Sequence, residues 1–190
     1  MTGHYWQNDG MDKKEHLFLT GYRGTGKSTV GRLVANHLAL PCIDLDDEVE
    51  KQAGRSIRQI FEEGGEEEFR DLETSALHQV SLARSSVIAL GGGAILRDEN
   101  REVIAETGSC FWLDADAETI LSRLRADATT TERRPALTDL SAIEEIRDLL
   151  DFRRPLYLAA SDFRLEVAGR TPEQIAREVV LSWQGVRGSA

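Results

Sequence analysis

Gly21, Gly24, Gly26, Lys27, Ser28 and Thr29 stand in the order G-x-x-G-x-G-K-S-T, directly after the apolar run Leu17-Phe18-Leu19 and at the head of an amphipathic stretch. This is the pattern of a phosphate-binding loop in its strand-then-helix setting. Glycines let the backbone turn tightly, so that consecutive N–H groups from Gly24 through Thr29 point at phosphate oxygens, and the helix that follows adds its positive N-terminal end. In that chemistry the ammonium of Lys27 reaches the β- and γ-phosphates of a nucleotide, and the hydroxyl of Ser28 holds Mg²⁺.

Three further groups have chemical potential. Asp44 and Asp46 flank Leu45 at the end of a short apolar run, the end at which parallel sheets present ligands. Strand alternation predicts that both point to one side, one carboxylate towards a metal and the other towards an acceptor hydroxyl. The competing reading is a helix N-cap, which Asp46 or Asp47 would serve equally well. Gly91-Gly92-Gly93 follows the apolar run Ser86 to Leu90, and three absent side chains let backbone approach a ligand, although a flexible turn reads the same way. Arg70, Arg123, Arg134 and Arg153 form the third group. A guanidinium binds carboxylate or phosphate bidentately and keeps its charge, so it suits a substrate clamp or a developing negative charge. Each is also an ordinary salt-bridge candidate, and Arg70 has Glu66, Glu67 and Glu73 within helical reach.

The elements that must position these residues alternate between apolar runs and helical patterns, which predicts a parallel sheet between two helical layers. Strands are expected at 16–20, 41–44, 86–90, 109–113 and 163–167. Helices are expected at 27–38, through most of 46–84 with breaks at Gly54 and Gly64-Gly65, and at 100–106, 117–125 and 141–160, the last bent or split by Pro155. A final helix begins with Thr171 as N-cap and Pro172 at its first position. The stretch 126–139 is rich in threonine and charge, lacks apolar periodicity and reads as a mobile lid. The fold class is therefore α/β, a three-layer sandwich around a five-stranded parallel sheet. One domain is expected over 16–184, with a helical substrate-binding segment at about 44–73, a polar head at 1–15 and a tail at 185–190, both disordered.

The 190 residues suffice for one α/β core, and the formal net charge of −10 argues against a nucleic-acid or anionic-membrane surface. An anionic substrate must then be caught by local arginines. Cys42 and Cys110 both sit in apolar runs and read as reduced core thiols of a cytoplasmic protein. No apolar run approaches the roughly 18 residues of a membrane span. A monomer is the default.

Taken in order, Gly21 to Thr29, Asp44-Leu45-Asp46, Gly64 to Glu73, Gly91 to Gly93, Arg134-Pro135, Arg153 to Tyr157 and Arg170-Thr171-Pro172 resemble the shikimate kinases, within the nucleoside-monophosphate-kinase-like P-loop group. The resemblance spans 16–184. It implies transfer of the γ-phosphoryl group of ATP, with Mg²⁺, to the 3-hydroxyl of shikimate. It further implies that Asp46, Arg70, Gly92, Gly93 and Arg153 bind shikimate beside Gly91, the two arginines pairing its carboxylate. Asp46 matches the position of the base, Asp44 that which organises Mg²⁺, and Glu73 that which braces the substrate arginine. Arg134 would descend with the lid onto the transferred group, and Arg123 and Arg170 would border the adenine. Two departures stand out: Ala136-Leu137-Thr138 follows Arg134-Pro135 where many members have leucine first, and the segment between Arg123 and Arg134 is several residues longer than in compact members. A gluconate kinase shares loop and topology and is the first alternative. A nucleotide-binding regulatory protein is the second, although Lys27, Asp46 and Arg134 are all retained.

Overall fold

The computed structural model of the protein describes residues 16–126 and 142–187. Five strands, β1 (His16–Thr20), β2 (Cys42–Asp44), β3 (Val87–Ala89), β4 (Gly108–Asp114) and β5 (Phe163–Glu166), form one parallel sheet in the order β2-β3-β1-β4-β5. Seven helices are described: α1 (Lys27–Leu38), α2 (Leu45–Ala53), α3 (Ile57–Ser81), α4 (Asp98–Thr107), α5 (Ala117–Ala126), α6 (Ala142–Ala160) and α7 (Pro172–Arg187), with a 3₁₀ turn at Ala94–Leu96. The predicted sheet is thus observed, strand for strand. The predicted lid and its Arg134 fall at 127–141, outside the described residues, as does the head.

Strand alternation divides the apolar residues between two faces. Leu17 and Leu19 of β1 enter a core with Val30 and Val34 of α1, Phe111 and Leu113 of β4, and Val179 and Trp183 of α7. Phe18, between them, enters the opposite core with Leu45, Phe69, Leu77, Ile88, Cys110, Trp112 and Tyr157. Burying strands on both faces is what lets their sequence be apolar throughout. Because β1 lies between β3 and β4, the chain departs to opposite sides at its carboxyl end, which opens a crevice over the loop that follows β1.

Local signals set the helix ends. Thr171 caps α7, its Oγ1 accepting from the Gln174 N–H at 3.3 Å while the Gln174 side chain accepts from the Thr171 N–H. Ser56 and Gln59 make the same reciprocal pair at α3. At Gly65 α3 is interrupted by φ 76° and ψ −168°, a conformation that only glycine adopts freely. Phe61 and Phe69 stack across this kink with centroids 4.8 Å apart, and Arg55 pairs with Glu63 before it and Glu68 after it.

Two expectations need correction, and a third, the bend or split at Pro155, is narrowed. Cys42 is exposed on edge strand β2, whereas Cys110 is buried. The run around Cys42 is apolar because it leads into the sheet, but an edge strand of three residues leaves its first side chain uncovered. Helix α6 continues through Pro155 without splitting. Lastly, Asp46 belongs to the first turn of α2 and not to β2, so strand alternation does not relate it to Asp44.

Candidate functional site

The loop between β1 and α1 is built on glycines in the left-handed region, Gly21 at φ 139°, Gly24 at 82° and Gly26 at 97°. A Cβ at Gly21 would stand 2.5 Å from the Leu113 carbonyl oxygen, so the tight turn leaves room for hydrogen alone. Thr25 is buried, its hydroxyl donating to the Tyr22 carbonyl at 2.8 Å. Lys27 Nζ donates to the carbonyls of Gly21 at 2.8 Å and Tyr22 at 3.0 Å. The ammonium is therefore held across the mouth of the loop, where phosphate oxygens would compete for it.

Ser28 Oγ donates to Asp44 Oδ2 at 2.6 Å. Asp44 is also the N-cap of α2, its Oδ1 accepting from the Asp46 N–H at 3.1 Å. The cap is thus Asp44, rather than Asp46 or Asp47, and the Asp46 carboxylate lies against Gly91. Burial pushes the Asp44 carboxyl above the ordinary carboxylate range, against the Ser28 hydrogen bond, and the neighbouring charges of Asp46 and Asp47 add to the rise. A hydroxyl and a half-buried, charge-crowded carboxylate make an oxygen-only donor pair that suits a hard divalent cation. Among the described residues no cluster of three or more His, Cys, Asp or Glu could hold a metal.

Gly91-Gly92-Gly93 lies where α2, α3, α6 and the β1–α1 loop converge. A Cβ at Gly91 would stand 2.9 Å from Asp46 Oδ1 and closer still to Glu73 Oε1. A Cβ at Gly93 would stand 2.6 Å from Arg70 Cζ, and one at Gly92 would touch the Arg23 N and Gly21 O at 3.4 Å. Gly91 and Gly93 therefore make room for the protein's own groups, a use that the expectation of close approach to a ligand did not include. Arg70 donates to Glu73 Oε2 at 2.6 Å and to Glu66 Oε1 at 3.1 Å, and it lies over the Phe69 ring at 5.0 Å. Burial works against its charge, but Glu73 and Glu66 outweigh that and hold its pKa above the ordinary value. Of the carboxylates within helical reach, the pairing is carried by Glu66 and the fully buried Glu73.

Arg153 on α6 donates to the Gly92 carbonyl at 3.4 Å and stands 5.7 Å from the centre of the Tyr22 ring. One turn further along, the Tyr157 hydroxyl donates to the same carbonyl at 2.6 Å. Sequence reasoning gave no role to Tyr157 or to Tyr22. The i, i+4 spacing from Arg153 was the available signal for the first, and nothing in the loop motif marked the second.

Asp46, Arg70, Arg153 and Gly91 to Gly93 are thus brought together beside Gly21 to Arg23. Arg123 and Arg170 are placed elsewhere. Arg123 donates to the Thr25 carbonyl and to the Val167 carbonyl, both at 3.1 Å, joining the outer side of the loop to the segment after β5. Arg170 bonds the Glu166 carbonyl at 3.1 Å and pairs with Glu178. Among the described residues no helix is long and apolar enough to cross a membrane.

Comparison with known proteins agrees with this geometry. The family model described as shikimate kinase matches residues 23–184. The chain is 49% identical to the shikimate kinase of Rhodopirellula baltica, over 91% of this chain and 92% of that one. It is 38% identical to the shikimate kinase of Thermodesulfovibrio yellowstonii, over 90% and 95%. Its fold is similar to that of the shikimate kinase from Acinetobacter baumannii solved in complex with shikimate, with a TM-score of 0.83, 33% identity and coverage of 90% and 93%. A phosphate loop facing a cationic, triglycine-lined crevice, and a match along nearly the whole chain, lead to one conclusion: the chain belongs to the shikimate kinase family of P-loop kinases.

Proposed function

We propose that Asp46, Arg70, Gly91, Gly92, Gly93 and Arg153 form the acceptor site at which the chain exercises its shikimate kinase activity, transferring the γ-phosphoryl group of ATP to the 3-hydroxyl of shikimate. The observation that carries this reading is the convergence of Arg70, Arg153 and Asp46 on one glycine loop, with Gly92 in contact distance of the loop that ends at Lys27. Two guanidiniums on one side of a small crevice fit a carboxylate, which they can bind by charge-assisted hydrogen bonds. A carboxylate on the other side fits a hydroxyl.

Phosphoryl transfer asks a protein mainly to position its reactants and to stabilise charge. Gly24 to Thr29 supply backbone N–H groups to the nucleotide phosphates. Lys27 leaves the Gly21 and Tyr22 carbonyls to meet the β- and γ-oxygens. Ser28 and Asp44 would hold Mg²⁺, which when bound would offset the negative charge of the nucleotide phosphates. Asp46 orients the acceptor hydroxyl and takes its proton as transfer proceeds. Glu73 fixes the Arg70 guanidinium so that its remaining N–H groups face the acceptor carboxylate. Arg134, from the segment between α5 and α6, serves the transferred group, while Arg123 and Arg170 border the adenine from the α5 and post-β5 side. The catalytic set is Asp46, Lys27 and Arg134, and the working state is a monomer.

The test is a coupled ADP-release assay with ATP and Mg²⁺, offering shikimate, gluconate, AMP or no acceptor. Turnover confined to shikimate is expected. Comparable turnover with gluconate would overturn the acceptor assignment, and ATP binding without turnover on any acceptor would overturn the catalytic one.

A further inference from the structure

We infer that the Tyr22 ring is a positioning surface for Arg153, and so ties the acceptor clamp to the phosphate loop. The inference rests on the reading of Arg153 as an acceptor-binding residue.

The ring belongs to the loop motif but is turned into the core. It is 2% exposed and packs in the core shared by α1, α5 and α6, so it is a rigid platform. The Arg153 Cζ stands 5.7 Å from the ring centre, within cation–π range. The other restraint on that guanidinium is a long hydrogen bond of 3.4 Å to the Gly92 carbonyl, an oxygen already engaged at 2.6 Å by the Tyr157 hydroxyl. A shared acceptor and a 3.4 Å separation hold a side chain weakly. The aromatic face therefore decides where the charge sits. Arg70, by contrast, is fixed by two carboxylates. Both halves of the clamp lie over a ring, Arg70 over Phe69 of its own helix and Arg153 over Tyr22 of the nucleotide loop, and Arg70 has ion pairs in addition.

The backbone of the same residue faces the nucleotide side. The Tyr22 carbonyl accepts from Lys27 Nζ at 3.0 Å and from the Thr25 hydroxyl at 2.8 Å. When Lys27 turns to phosphate, the carbonyl loses its cationic partner. One residue thus bears a contact that phosphate binding alters and a contact that positions the acceptor's arginine. By linkage, any coupling through it acts equally in both directions.

The experiment compares Tyr22→Phe, Tyr22→Leu, Arg153→Ala and the double variant Tyr22→Leu/Arg153→Ala, with KM for ATP and for shikimate measured separately. Tyr22→Leu should raise the shikimate KM roughly two- to thirtyfold, the span that a cation–π contact corresponds to, with the ATP KM changed less than about twofold. Tyr22→Phe keeps the ring and should restore the wild-type shikimate KM. In the Arg153→Ala background Tyr22→Leu should add nothing to the shikimate KM, because its effect acts through that arginine. An equal rise in both KM values, an additive double variant, or a Tyr22→Phe enzyme as impaired as Tyr22→Leu would each overturn the inference. Should the leucine variant fail to fold, Tyr22→Met, flexible and without a π face, takes its place. If Arg153→Ala itself leaves the shikimate KM unchanged, the clamp reading fails and the inference falls with it; if Arg153→Ala is impaired and Tyr22→Leu is not, the inference alone fails.

Discussion

Replacing Gly93 by alanine tests the clamp without touching a charged residue. A Cβ at this position would lie 2.6 Å from Arg70 Cζ, whereas ordinary contact begins near 3.4 Å. The guanidinium must retreat by about 1 Å to regain a normal carbon contact. It has little freedom to do so, because Arg70 is buried and tied to Glu73 at 2.6 Å. A retreat of this size lengthens the hydrogen bonds that Arg70 offers an acceptor carboxylate beyond useful range, and such charged bonds are worth roughly 1.5–3 kcal/mol. The kcat/KM for shikimate should therefore fall roughly ten- to hundredfold. The KM for ATP should change less than about twofold, since no phosphate-loop atom is displaced. Gly92→Ala is the internal comparison: its Cβ would meet backbone at 3.4 Å, a contact that small shifts relieve, so its effect should be milder. Steady-state kinetics with each substrate varied in turn, with melting temperatures as a check on folding, decide the matter. A Gly93→Ala enzyme within twofold of wild type, or a Gly92→Ala enzyme equally impaired, would refute the reasoning.

Lys27→Ala should abolish ADP release, because it removes the ammonium held at the loop mouth; near-normal turnover would remove the nucleotide assignment. Arg70→Ala should raise the shikimate KM far more than the ATP KM. It should also destabilise the fold by roughly 3–5 kcal/mol, since the fully buried Glu73 loses its partner; adding Glu73→Gln should recover part of the melting temperature. For Asp44 the folded pKa lies above the ordinary 3.8, so the folded chain binds this proton more tightly than the unfolded one. Its contribution to stability is complete below the unfolded pKa and is lost as pH rises through the folded value. Asp44→Asn, measured without divalent cations, should therefore gain melting temperature relative to wild type between acid and neutral pH; a difference that does not vary with pH would contradict this. A thiol reagent should modify the exposed Cys42 and spare Cys110, which is buried and whose thiol burial holds far above the ordinary range, until the chain is unfolded.

The phosphate loop and the sheet order of elements were legible because both are written in short-range patterns, glycine spacing in one case and runs bounded by turns in the other. Asp44 and Asp46 were legible as a pair, but their arrangement was not. Alternation assumes a strand through both, and the backbone turns into α2 at Leu45, so Asp44 takes the cap that the sequence offered to Asp46 or Asp47. The purpose of Gly91 and Gly93 was equally hidden. It depends on Glu73, Asp46 and Arg70 arriving from other elements, a long-range fact that no local window contains. Tyr157 and Tyr22 act through a carbonyl and a ring face, and neither contact imposes a residue pattern along the chain.

The kink at Gly65 gives α3 the mechanics of two rods on a joint. Backbone hydrogen bonds do not run through it in register, so the outer rod beginning at Ile57 can loosen without unwinding the inner one that carries Arg70 and Glu73. The Phe61–Phe69 stack and the Arg55 strap to Glu63 and Glu68 limit how far the joint opens. Amide exchange should then divide α3 at this point into a faster outer block and a slower inner block. Fluctuations in the surface half of the helix would reach the joint and be dissipated there, leaving the guanidinium in the crevice steady.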